Sequence, residues 1–138
     1  MAGTRIERVR SREELEIVLS WLARGALGGP GRVPSRPERL LADPSVLLAL
    51  AWREEPCGFS RLDLGKGAAE FSLFVIPAHR RSGVGRCLLQ WALTEAGERR
   101  VYAMVEEGNG PGHAFFRAAG FRSVPSRAGG WIRWEAPS

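Results

Sequence analysis

Phe71-Ser72-Leu73-Phe74-Val75-Ile76-Pro77-Ala78-His79-Arg80-Arg81-Ser82-Gly83-Val84-Gly85-Arg86-Cys87-Leu88-Leu89 is the stretch that decides the fold. Its first part is apolar, with aromatic and β-branched residues, and reads as a buried strand that Pro77 closes. Arg80-x-x-Gly83-x-Gly85 then forms a turn. Beyond it, Val84, Cys87, Leu88, Trp91, Ala92 and Ala96 recur at steps of three and four, the stripe of a long helix from Gly83 to about Arg99.

The turn has chemical content of its own. A helix start leaves several backbone N–H groups without partners, and the helix dipole adds partial positive charge there. Gly83 and Gly85 carry no side chain to shield those amides, and Arg80, Arg81 and Arg86 add full charges suited to phosphate oxygens. The pattern therefore reads either as a pyrophosphate cradle or as a glycine-bearing turn ringed by solvated arginines.

Working outward towards the N-terminus, Ala69 to Ile76 is preceded by the turn Gly65-Lys66-Gly67. Before that come the strand Cys57 to Leu64, the turn Glu54-Glu55-Pro56 and the apolar strand Ser45 to Arg53, a hairpin. Thr4 to Arg10 alternates as a first strand. Ser11-Arg12-Glu13-Glu14 is a capping box opening a helix with Leu15, Val18, Leu19 and Leu22 on one face, fading at Gly25. Residues 25 to 34 read as a glycine- and proline-rich loop. Ser35-x-x-Glu38 reads as a second capping box, starting a short helix that Asp43-Pro44 stops. Towards the C-terminus follow a strand at Val101 to Val105, a loop at 108 to 112, a short helix from His113 to Ala119 ended by Gly120, a strand at Phe121 to Val124, a turn and a last strand at Trp131 to Glu135. Hairpins joined to a strand–helix–strand crossover give an α+β domain over residues 1–138, built on one mixed sheet.

Length and composition set the bounds. A chain of 138 residues fits one domain, and 44% hydrophobic with 25% charged residues is ordinary for a globular protein. No apolar run approaches a membrane span, and the N-terminus lacks an apolar signal core, so a cytoplasmic setting is expected. Cys57 and Cys87 are far apart in apolar patterns and read as buried thiols. Two Cys and two His show no metal-ligand spacing. The net charge of +5 admits nucleic acid or an anionic small ligand. The arginines are scattered, without a basic run or aromatic interleaving, which favours a polyphosphate ligand over nucleic acid.

Val75 to Leu89 resembles the acyl-CoA pyrophosphate motif, Arg/Gln-x-x-Gly-x-Gly/Ala, of the GNAT superfamily of acetyl-CoA-dependent N-acyltransferases. Asn109, the pair Phe115-Phe116 and the closing Gly120-Phe121 resemble that family's second signature. The order of elements is similar along nearly the whole chain. The resemblance implies a mostly antiparallel sheet whose two central strands splay apart, with helices on both faces in three α/β/α layers. It also implies acetyl-CoA as cosubstrate, an amine acceptor and a possible homodimer. The pantetheine arm would pair with backbone near Leu73, Phe74 and Val75, the last offering an oxyanion donor. Residues Arg81, Ser82, Gly83, Val84, Gly85 and Arg86, with Arg80, would hold the pyrophosphate.

Family chemistry is direct attack of a neutral amine, which needs a base and an acid. Glu70, at the start of the organising strand, is the base candidate, against a solvated strand-end charge; Glu106 and Glu107 rank behind it. Relatives often carry Tyr at the second aromatic as acid. Phe116 stands there instead, so a weakly active or non-catalytic acyl-CoA-binding module is the alternative function. His113 is a substitute acid or a surface histidine. Asn109 touches the cofactor or fixes its loop, Phe116 counts among the cofactor contacts, and Tyr102 reads as structural. The loop at 25 to 34 falls where relatives shape the acceptor site.

Overall fold

The computed structural model describes residues 3–25, 36–125 and 129–137. The elements are β1 (Arg5–Arg8), α1 (Arg12–Ala23), α2 (Glu38–Ala42), β2 (Val46–Trp52), β3 (Pro56–Leu64), β4 (Ala68–Val75), α3 (Val84–Ala96), β5 (Arg100–Glu106), α4 (Gly110–Ala118), β6 (Arg122–Val124) and β7 (Trp131–Glu135). The seven strands form one sheet in the order β1-β2-β3-β4-β5-β7-β6. Every neighbouring pair is antiparallel except β4 and β5. That parallel pair is the one joined by the α3 crossover, as strand–helix–strand geometry requires.

The strands sort their side chains by alternation. In β2, Leu47, Ala49 and Ala51 join a core with Leu88, Leu89 and Ala92 of α3 and Phe116 of α4. Val46, Leu48 and Leu50 join a second core with Leu15 and Val18 of α1, against which Leu40 and Leu41 of α2 pack. This two-sided burial explains why β2 is apolar throughout.

Helix α1 starts as its sequence predicts. Glu14 N–H donates to Ser11 Oγ at 3.2 Å, and Ser11 N–H donates to Glu14 Oε1 at 3.2 Å. The short helix α2 differs. It begins behind Pro37 with no side-chain cap, and Ser35, the expected cap, lies outside the described residues, as does loop 26–34. Helix α4 starts three residues earlier than predicted, because Asn109 caps it and Pro111 sits in its first turn. Cys57 is buried and Cys87 only half-buried, both as free thiols. Burial pushes the Cys57 thiol pKa up.

Candidate active site

Strands β4 and β5 pair only through Ala68–Arg100, Ala69–Val101 and Glu70–Tyr102. Beyond that point β4 runs on to Val75 and β5 to Glu106 without pairing, so the two diverge into a cleft. Which backbone groups face the cleft follows from alternation. Ile76 N–H donates to Cys57 O on β3, while Gly67 O accepts from Arg100 N–H on the β5 side. Odd-numbered residues of β4 thus direct their N–H and C=O towards β5, and even-numbered ones towards β3. Leu73 and Val75 therefore present backbone to the cleft. Phe74 does not: it pairs with Phe59 of β3, and its ring joins the α1-side core against Trp21. The predicted backbone role of Phe74 is corrected by this parity.

At the mouth of the cleft lies the turn into α3. Arg80 Nε donates to Val75 O at 3.0 Å, folding the turn back onto the strand. Arg81 has φ 61°, a left-handed conformation that is strained for a residue with a Cβ. Gly83 caps α3 at φ 89° and provides no side-chain hydrogen bond. The first helical bond is Cys87 N–H to Gly83 O, so the amides of Val84, Gly85 and Arg86 precede the helical ladder. Val84 itself is buried, leaving only its backbone for a ligand. At Gly85 a Cβ would come within 2.9 Å of Phe115 Cε1 and 3.2 Å of Leu73 Cδ1, so glycine is what lets the helix start close down on the cleft wall.

Residues from the β2–β3 turn hold this loop, and the sequence gives no local signal for them. Arg53 donates from Nε to Thr4 Oγ1 at 3.1 Å and from Nη2 to Ser82 O at 2.7 Å. A peptide unit is planar and trans, so gripping Ser82 C=O aims Gly83 N–H the opposite way. Ser82 Oγ donates to His79 O, and His79 Nε2 lies 3.8 Å from Glu55 Oε1.

Glu70 stands at the vertex of the cleft, in the last β4–β5 pair, half-buried. Tyr102 Oη, on the neighbouring strand, donates to Glu70 Oε1 over a long 3.4 Å. Burial, and then the Glu70 carboxylate, push the Tyr102 pKa up, so the phenol keeps its proton. Arg133 stacks over the Tyr102 ring at 3.8 Å. Tyr102 thus belongs to the surroundings of Glu70, a placement visible only once β4 and β5 are paired.

The second signature turns inward. Phe116 is 3% exposed and packs edge-on against Phe71 and Phe115, so it is core and not a ligand surface. Phe115, half-buried and against Gly85, is the aromatic nearer the cleft. Asn109 Oδ1 accepts Gly112 N–H at 3.0 Å, which makes the residue a helix cap. Trp134 Nε1–H donates to His113 Nδ1 at 3.0 Å. The imidazole proton is therefore on Nε2, which lies 3.1 Å from Glu107 O. Both ring nitrogens are thus engaged within the fold, where the sequence reading offered a substitute acid or a surface histidine. Glu106 and Glu107 are exposed. Among the described residues, no group of three or more His, Cys, Asp or Glu is placed to hold a metal ion.

Residues 15–121 match the family model "Acetyltransferase (GNAT) family". The chain belongs to the GNAT family. Solved structures similar to this GNAT chain include the GNAT domain of S. lividans PAT, at TM-score 0.80 and 22% identity over 96% of this chain and 89% of that one. The PaiA N-acetyltransferase of Thermoplasma acidophilum, solved in complex with coenzyme A, has TM-score 0.79 at 19% identity over 99% of both chains. A curated relative, the mycothiol acetyltransferase of Clavibacter sepedonicus, is 45% identical over 53 residues. That segment is 38% of this GNAT chain and spans 17% of the relative's length. No described helix is long and apolar enough to cross a membrane.

Proposed function

We propose that this GNAT chain transfers an acetyl group from acetyl-CoA to a primary amine by direct attack. The observation that carries the reading is the β4–β5 cleft, which has Leu73 and Val75 backbone along one wall and uncapped α3 amides at its mouth. Acetyl-CoA supplies the activated thioester. In the transfer the amine nitrogen forms the C–N bond, the C–S bond breaks, the amine gives up a proton and the departing sulfur gains one.

The chain's residues divide this work. Arg81, Ser82, Gly83, Val84, Gly85 and Arg86 hold the pyrophosphate through backbone N–H groups, with the Arg80, Arg81 and Arg86 charges around them. Val75 N–H faces the thioester oxygen as it gains charge. Glu70, at the vertex, accepts the amine proton through a water molecule, and the Tyr102 hydroxyl orients its carboxylate. A cytoplasmic setting and a homodimer remain parts of this reading.

Free-thiol release from acetyl-CoA across an amine panel tests it. Turnover is expected with at least one amine. Glu70→Gln should reduce kcat on the order of 100-fold, the usual contribution of a general base. One observation favours a second reading, acyl-CoA binding without transfer: Phe116 lies in the core and has no proton to give, and both His113 nitrogens are engaged within the fold. Tight coenzyme A binding with no thiol release from any amine would establish that second reading and remove the first.

A further inference from the structure

We infer that the hollow between the end of α1 and β4 seats the acceptor, and that it selects a small amine bearing an oxyanion on an apolar body, with Arg24 as the anchor. The inference rests on the acetyl-transfer reading. The hollow measures about 480 Å³, within the range of small-molecule sites. Trp21, Phe74, Ile76 and Pro77 supply its apolar wall, and Arg24 and Arg80 its charges. Among the described residues that line it there is no carboxylate.

Its place connects it to the chemistry. Phe74 and Ile76 bracket Val75, whose backbone faces the cleft, and Arg80 at the rim bonds Val75 O. A ligand seated here lies on the α1 side of the sheet, across the strand from the α3 core. The wall is preformed: Trp21 stacks on Phe59 at 5.8 Å and 15°, and meets Phe74 at 5.6 Å. Two interlocked rings present a fixed apolar surface with little rotamer freedom left to lose.

The charges decide the ligand class. Arg80 has one guanidinium nitrogen on Val75 O and stands in the phosphate turn, whereas Arg24 is exposed and has no side-chain partner among the described residues. The Arg24 guanidinium, with the Arg80 charge at the rim, disfavours a polyamine and matches a carboxylate or phosphonate through its own fork of N–H donors. An amino-acid-like amine with a bulky apolar side chain satisfies wall and charge together.

Binding and turnover are both needed to test this. By calorimetry with coenzyme A present, N-acetylphenylalanine should bind at least tenfold more tightly than its amide. Arg24→Gln should erase that preference and leave coenzyme A affinity unchanged. The phosphonate analogue distinguishes a carboxylate site from a phosphate-type one, the tighter binder naming the natural oxyanion. Equal binding of acid and amide overturns the inference, as does an Arg24→Gln chain that loses coenzyme A affinity, which would give the hollow to the cofactor. In the turnover arm, phenylalanine should outrun phenylalaninamide and spermidine. Thiol release that prefers spermidine sinks the acceptor seat and leaves acetyl transfer standing. Selective binding of the acid without any thiol release keeps the seat and sinks acetyl transfer.

Discussion

Helices α3 and α4 both begin at glycine-bearing turns near the same cleft, yet they treat their first amides in opposite ways. At α4, Asn109 accepts Gly112 N–H and Pro111 removes another donor altogether. At α3, Gly83 offers no cap, and a left-handed Arg81 precedes it. A helix start carries about four orphan donors. One turn satisfies them from within and becomes scaffold; the other has no side-chain cap, as the proposed anion site requires. Motif residues of similar composition thus play different parts, according to whether the fold closes their hydrogen bonds.

The contrast is broken most forcibly at Gly85. Gly85→Val places branched carbons where Phe115 and Leu73 already lie within 2.9 and 3.2 Å of a Cβ. Coenzyme A affinity should fall on the order of 100-fold, about 3 kcal/mol by calorimetry. Arg53→Ala comes next. It frees Ser82 C=O, and with it the aim of Gly83 N–H, so coenzyme A Kd should rise on the order of tenfold, the value of one charge-assisted hydrogen bond. The kcat at saturating acetyl-CoA should be unchanged. An equal fall in kcat would show that the arginine does more than hold the loop. Asn109→Ala should reverse the pattern, lowering stability by about 1 kcal/mol in denaturant unfolding without altering coenzyme A affinity.

The smallest effect concerns Tyr102, the single tyrosine of the chain. Phenolate absorbance should report a midpoint above the usual value near 10, and Glu70→Gln should bring it down towards that value. The native state holds this proton more tightly than the unfolded chain does. Its contribution to stability is therefore intact below about pH 10 and lost as pH rises through the raised value.

Much of the architecture was legible because the governing signals are local. The apolar alternation of Phe71 to Ile76, the stripe from Val84 to Ala96 and the Ser11–Glu14 box each act within one element. The uncapped start of α3 was legible for the same reason: glycine spacing states where backbone is bare. What escaped depends on register and distance. Phe74 changed from cofactor contact to core because strand parity decides which carbonyls face which neighbour. His113 became a structural bridge through Trp134, 21 residues away. Arg53 meets Ser82 across 29 residues, and Tyr102 meets Glu70 across 32, so nothing in either neighbourhood announces the pairing.

The measurement that bears most directly on the central claim is the backbone amide spectrum of the chain during titration with coenzyme A. The amides of Gly83 to Arg86 should shift and gain protection from exchange, while those of Gly110 and Gly112 at the α4 start stay in place. Coenzyme A binding that leaves Gly83 to Arg86 unmoved would contradict the claim that bare amides at the start of α3 hold the diphosphate.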